Sequence, residues 1–225
     1  MVELGAGTGR ITASLAETGA DVVAIELDES YAEVLRRRFA GRSSIRVVSG
    51  DVLRVPLPTE PFRVVGNIPF GLTSAILRRL LDRPQGRLRR ADLIVQHEVA
   101  RKRSSAWPVD LLSAGWLPWW EFHLVRRLPR GAFDPPPVVD AAVLSIVRRH
   151  PPLLPAERRS EYVRLLRRGF RTADLPIHRA LRGILPPRAW KRAARDRGLS
   201  PRARVRDLDV FDWVLVFDLV QGGGR

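Results

Sequence analysis

Cysteine is absent from all 225 residues. Disulfides, thiolate metal sites and a cysteine nucleophile are therefore excluded. No run of about 18 apolar residues is present, so no segment is suited to span a bilayer as a helix, and no membrane partner is expected. The opening "MVELGAG" has neither a basic n-region nor an apolar h-region, which predicts a cytoplasmic protein. The four histidines, His97, His123, His150 and His178, show no ligand spacing, and no metal site is expected. Lysine is nearly missing: Lys102 and Lys191 are the only two, and the rest of the 39 cations are arginine.

What is present starts with size and charge. A chain this long, 45% hydrophobic, can bury a core, and one large domain with a small one is the natural organisation. The net charge is +15, and its placement is uneven. Residues 1–82 hold 10 Lys/Arg and 10 Asp/Glu, whereas residues 83–225 hold 29 and 14. Codon usage explains a preference for arginine over lysine, but not a surplus of cations on one part of the chain. A neutral first part joined to a cationic remainder suggests a small-ligand site beside a polyanion-binding surface.

Apolar runs at 2–4, 22–27, 45–48 and 62–66 alternate with helix-period segments near 9–18, 29–40 and 72–81, which predicts a parallel sheet with helices on both faces. "ADLIVQHEVARKR" reads as a further strand running into a basic helix. "WLPWWEFHLVRRL" and "VVDAAVLSIVRR" read as two extended segments, joined by the proline-rich "PRGAFDPPP". "RRHPPLLP" at 148–155 predicts a boundary, because proline continues neither kind of element. From about 156 the pattern is helical, and "QGGGR" reads as a frayed tail. The division expected is 1–150 and 151–225. Trp107, Trp116, Trp119 and Trp120 are read as structural, since aromatics next to strand residues are more often core than platforms for RNA.

The first strand leads into "VELGAGTGR", with glycines at 5, 7 and 9 and an acid at Glu3. The dinucleotide spacing G-x-G-x-x-G, which aims a helix N-terminus at pyrophosphate, is not met. Glycines here let backbone approach a ligand closely, or make an ordinary flexible turn. Glu26 ends the second run, where a carboxylate can accept both hydroxyls of a ribose. Asp51 follows the third, placed to accept from an adenine amine. Each acid alone fits a solvated strand end. Together with the glycine turn they fall at three successive strand C-termini, where open α/β sheets bind ligands.

The fourth run ends in Asn67-Ile68-Pro69-Phe70. A turn needs only the proline and the flanking glycines. The Asn67 side-chain oxygen and the Ile68 carbonyl can both accept from one exocyclic amine, with Pro69 fixing the turn that aims them together. Phe70 offers a face on which a planar base can stack. Read as structure alone, Pro69 forms the turn and Phe70 is core.

This ordering of glycine loop, acid, Asp and N-[IL]-P-[FY] resembles the Rossmann-like S-adenosylmethionine (SAM) methyltransferases that act on amines. The fuller match, through "VELGAGTG", "AIELD", "GD" at 50–51, "GNIPF", "VQHEVARKR" and "LPRGAFDPPPVVDAAVLSIVRR", resembles the Erm family of 23S rRNA adenine-N6 methyltransferases conferring macrolide resistance, and their 16S rRNA dimethyltransferase relatives. "PWWEF" and the arginine content look more like Erm enzymes of actinomycetes. The resemblance implies SAM as cofactor, held by Glu3, Gly5, Ala6, Gly7, Glu26, Leu27, Asp51, Val52 and Asn67. It implies a catalytic set of Asn67, Ile68, Pro69 and Phe70, with Phe133 as a second aromatic against a flipped adenine; the alternative for Phe133 is an anchor for its loop. Arg101, Lys102 and Arg103 would contact rRNA phosphates, 23S rRNA being the expected partner of a monomeric enzyme with a helical RNA-binding domain. The rival readings are 16S rRNA dimethylation and a non-catalytic RNA clamp. Family members carry a helix and a Gln-Asn-Phe segment before the first strand, covering the methionine end of SAM. This sequence opens at that strand, so the cover is expected to be missing.

Overall fold

The computed structural model describes residues 1–108 and 110–222. The β-branched runs of the first part form strands β1 (Val2–Leu4), β2 (Val22–Glu26), β3 (Ile45–Ser49) and β4 (Phe62–Asn67), separated by helices α1 (Arg10–Glu17) and α2 (Glu29–Arg38). Helix α3 (Thr73–Leu81) leads to β5 (Leu88–Gln96) and α4 (His97–Arg103). Strands β6 (Trp120–Leu128) and β7 (Ala141–Arg148) complete one seven-stranded sheet in the order β3-β2-β1-β4-β5-β7-β6. The pairings from β3 to β5 are parallel, and β7 runs antiparallel to β5 with Gln96 opposite Ala141. The chain is therefore a Rossmann-like α/β protein, and the C-termini of its parallel strands share one edge. The start of β7 lies on that same edge.

Helix α2 shows why these segments settle where they do. Asp28 caps it by accepting from Ser30 N at 2.8 Å, Glu29 stands in the first turn and Arg36, Arg37 and Arg38 in the last, all favourable to the helix dipole. Its inner face, Ala32 and Leu35, is fully buried. Leu35 and Phe39 pack with Ala6 and Ala24 into a core under the first βα turn.

The chain divides into two compact units, residues 1–101 with 122–148, and residues 102–121 with 149–225. The sequence reading assigns 102–121 to the first domain. In the structure this segment packs with the second unit, and its tryptophans are the reason. Trp119 Nε1 donates to Leu154 O at 2.7 Å, Arg149 N donates to Trp119 O at 2.9 Å, and the Trp119 ring meets Tyr162 edge-on at 5.9 Å. Residues 116–119 are a turn rather than the start of a strand, with Trp119 N and Trp120 N both donating to Trp116 O. Before that turn stands a short helix, α5 (Leu111–Ala114), which the sequence pattern does not announce.

Helices α6 (Arg159–Phe170), α7 (Ile177–Ala180), α8 (Pro187–Asp196) and α9 (Val210–Gly222) form the rest of this unit. Its centre is aromatic: Tyr162 meets Phe217 edge-on at 5.6 Å and Phe170 stacks on Trp213 at 5.7 Å. Aromatic side chains bury roughly 150–250 Å² each, which lets so small a unit hold together. Of the expected frayed tail, Gln221 and Gly222 belong to α9, and 223–225 lie outside the described residues. Among the described residues no helix is long and apolar enough to cross a membrane.

Candidate functional site

Three glycines at the end of β1 have left-handed backbone, with φ of 69° at Gly5, 54° at Gly7 and 80° at Gly9, where side chains are strained. They serve different ends. A Cβ on Gly9 would stand 2.6 Å from Leu35 Cδ2 and 2.9 Å from Phe39 Cε2, so this glycine lets α1 start against α2. A Cβ on Gly7 would meet nothing within 4 Å. Gly7 is the glycine that leaves room for a ligand. A Cβ on Gly5 would lie 3.6 Å from the Asn67 carbonyl, so the glycine loop and the end of β4 are neighbours. Ala6 turns its methyl into the core, and only its backbone can face a ligand.

The acids stand beside this loop. Glu26, buried at the end of β2, accepts from Gly7 N at 2.7 Å through Oε2 and from Asp28 N at 3.0 Å through Oε1. A carboxylate has about four lone-pair sites, so two remain for a diol while Glu26 also shapes the loop. Glu3 is 1% exposed; Thr12 Oγ1 donates to its Oε2 at 2.6 Å, and its Oε1 is buried with no partner. Burial pushes the Glu3 carboxyl up, against the pull of the Thr12 hydrogen bonds, and the nearby Glu26 charge adds to the rise. An orphaned buried acceptor with a second carboxylate nearby is the feature a cationic ligand group would complete. Leu27, next along, is 67% exposed and offers an apolar face at the same strand end.

Asp51, half-buried after β3, accepts from Leu53 N at 2.8 Å and sits 3.6 Å from Arg54. One oxygen is thus engaged in its own turn. Arg79, which no motif marks, holds the rest of this loop by donating to Leu53 O at 2.6 Å and to Val55 O, just after Val52.

At the end of β4 the turn consumes particular carbonyls. Leu72 N donates to Pro69 O at 2.9 Å and Thr73 Oγ1 to Phe70 O at 3.0 Å. Neither bond involves the Asn67 amide, which is exposed, or the Ile68 carbonyl. Ile68 itself is a core residue, 2% exposed, so only its backbone is available for chemistry. Pro69 is exposed and Phe70 half-buried.

Phe133 lies in the loop between β6 and β7, at the end of a short 3-10 turn, Arg130–Ala132. That loop returns to the sheet at Ala141, opposite Gln96, and so opens on the edge where β4 and β5 end. Its two ends are joined by an ion pair of Arg127 with Asp140, and Arg130 Nη1 donates to Val138 O at 3.2 Å. The Arg127 hydrogen bond holds the Asp140 carboxyl below its ordinary value. Neither clamp residue is apparent from sequence.

The three consecutive cations separate. Arg101 is exposed and pairs with Glu98 at 2.8 Å; Lys102 is partly exposed, with Nζ 2.7 Å from Asp110. Arg103 is not a surface residue. It is 6% exposed, with Nη1 on Asp110 Oδ1 at 2.8 Å and Ser113 Oγ at 2.6 Å, and its guanidinium lies 5.5 Å from the centre of the Trp116 ring. The expected phosphate contact at Arg103 is therefore corrected to a structural one.

Comparison with known proteins agrees with this arrangement. The ribosomal RNA adenine dimethylase family matches residues 1–222. The mycinamicin-resistance protein MyrB of Micromonospora griseorubida is 39% identical, over all of this chain and 71% of its own length. The ribosomal RNA small subunit methyltransferase A of a Synechococcus strain is 35% identical, over 98% of this chain and 81% of its own. Among solved structures, the 23S rRNA methyltransferase ErmE superposes with a TM-score of 0.86 at 31% identity, covering 98% of this chain and 90% of that one. With the glycine loop, its acids and the Asn67 turn gathered at one sheet edge, the chain belongs to the ribosomal RNA adenine dimethylase family.

Proposed function

We propose that this protein transfers a methyl group from SAM to the N6 amine of an adenine in 23S rRNA, and that the modification confers macrolide-type resistance. The observation that carries the reading is the Asn67–Phe70 turn beside the Gly5 loop, with two acceptors clear of the turn's own hydrogen bonds. Glu3, Gly5, Ala6, Gly7, Glu26, Leu27, Asp51 and Val52 would hold SAM, with Asn67 at most a minor contact, and the positive charge of SAM suits the unpartnered Glu3 oxygen. Bound SAM supplies a methyl already activated on a sulfonium, so the protein need provide no strong acid or base.

What the chain provides is position. Asn67 Oδ1 and Ile68 O each accept one hydrogen of the adenine amine, which restricts its rotation and leaves the nitrogen lone pair facing away from both. Phe70 stacks on the base, with Phe133 as the second aromatic. A base inside a helix cannot reach this edge, so the adenine must leave its stack. Arg101 and Lys102 supply phosphate contacts, whose contribution falls with rising salt.

The choice of 23S rRNA follows the likeness to ErmE, and that of resistance the likeness to MyrB. The likeness to the small subunit enzyme favours 16S rRNA as the second reading. Labelled methyl transfer to naked 23S rRNA and to 30S particles, with the modified base mapped, separates them. An N6-methylated adenine in 23S rRNA is expected; label on the 30S particle alone would replace the first reading by the second. A chain that binds SAM calorimetrically but labels neither substrate would be the RNA clamp.

Glu26 gives a test of the donor site. Glu26→Gln is expected to weaken SAM binding by about 10- to 150-fold, the size of a lost charge-assisted hydrogen bond of about 1.5–3 kcal/mol. Glu26→Ala is expected to do more, because Gly7 N–H and Asp28 N–H also lose their acceptor. An unchanged dissociation constant in both variants would return Glu26 to an ordinary strand-end carboxylate.

A further inference from the structure

Of the six tryptophans, Trp116, Trp119, Trp120, Trp190 and Trp213 are at most 2% exposed, whereas Trp107 is 57% exposed. The sequence reading of Trp107 as core is therefore overturned. A tryptophan left in water asks for a reason, since burial of so large a side chain is what stabilises the other five.

The exposure is built in. Trp107 lies between Arg103 and Asp110, and these two close the base of its loop. Arg103 Nη1 meets Asp110 Oδ1 at 2.8 Å and Oδ2 at 3.1 Å, and Lys102 Nζ meets Oδ2 at 2.7 Å. Asp110 Oδ1 also accepts from Ser113 N at 2.7 Å and so caps α5, while Ser113 Oγ accepts from the same Arg103 Nη1. Next in the chain, Pro108 is buried with its φ fixed by its ring, which anchors the backbone one residue away. A loop tied at both ends and pinned next to its aromatic holds that ring outward.

We propose that Trp107 is a stacking platform for an unpaired base of the RNA substrate, distinct from the adenine that is methylated. The inference rests on the RNA substrate proposed above. Its neighbours argue for a base rather than a protein surface. Ala106 is small, Ser104 and Ser105 are polar, and Lys102 stands at the loop's base, in the part of the chain that carries the net positive charge. A protein hot spot would need an apolar surround to exclude water. A nucleobase needs only a face to lie on and cations near its phosphates, and unpaired bases are the part of RNA that proteins read by stacking.

Because the other five indoles are buried, quenching by a soluble ligand reports on Trp107. Short single-stranded RNA is expected to quench the emission, and the same strand annealed to its complement to quench it far less. Trp107→Phe should lose the quench and keep RNA affinity. Trp107→Ala should raise KM for rRNA by about 5- to 150-fold, the range for loss of one stacked base, with kcat at saturating RNA and SAM affinity unchanged. An unmoved KM in Trp107→Ala, or a duplex that quenches as strongly as the single strand, overturns the platform. Transfer to rRNA by the unaltered protein is scored separately. Transfer with an unmoved KM removes the platform and leaves the function, whereas single-strand quenching with no transfer to any rRNA removes the function and leaves the platform.

Discussion

Asn67→Ala is expected to slow methyl transfer by about 100- to 1000-fold while leaving the SAM dissociation constant nearly unchanged. The magnitude follows from what the side chain is asked to do. A displacement of about 1 Å in a reacting group can cost about 100-fold. With Asn67 Oδ1 gone, only the Ile68 carbonyl restrains the amine, and the nitrogen lone pair is no longer held to one direction. Ile68 cannot be tested through its side chain, which is 2% exposed and belongs to the core. Asn67 is exposed at the strand end, so its truncation leaves the packing intact. Single-turnover rates at saturating SAM and RNA isolate the step from product release. A rate near that of the unaltered protein would remove the amine-positioning role, and a parallel loss of SAM affinity would make Asn67 chiefly a donor contact.

The sequence makes this edge of the sheet legible for a physical reason. A parallel strand buried on both faces is a β-branched run, and the residue that ends it stands where ligands bind, so Glu26, Asp51 and Asn67 are each located by counting to the end of a run. The individual tasks are less accessible. Three glycines at equal spacing look alike, yet Gly9 is set by Leu35 and Phe39 some thirty residues away, and Gly7 by the space above it. Arg79, Arg127 and Asp140 position loops through contacts that depend on the finished fold. The turn at 116–119 resembles a strand because tryptophan favours strands, and only the hydrogen bonds to Leu154 and Arg149 reveal which unit its rings complete. Three consecutive cations on a helix can all face solvent, as Arg36, Arg37 and Arg38 do on α2, so only the contacts with Asp110, Ser113 and Trp116 reveal that Arg103 turns inward.

That third cation gives the other large effect. Arg103→Ala is expected to destabilise the fold by about 3 kcal/mol, because the buried charged hydrogen bond to Ser113 Oγ and one of the two cations on Asp110 are lost together, Lys102 alone remaining. The melting temperature should fall by roughly 6–12 °C for a chain of this size. The acid side supplies a check that a mere loss of packing would not meet. Burial alone raises the Asp110 carboxyl, but the Lys102 hydrogen bond, the Ser113 N–H and the Arg103 charge outweigh it and hold the group at about 2 against an ordinary 3.8. A folded pKa below the unfolded one means stability that is complete above about pH 4 and is lost as pH falls toward 2. Without Arg103 the folded pKa moves back toward 3.8, so the gap between variant and unaltered protein should be widest above pH 4 and narrow below it. Thermal melts from pH 2 to pH 7 measure this directly. Arg101→Glu is the contrast: it should leave the melting temperature in place and weaken RNA binding, more so at low salt. Should Arg103→Ala instead melt like the unaltered protein and lose RNA affinity, the guanidinium would be a phosphate contact after all, and the clamp under the Trp107 loop would have to be sought elsewhere.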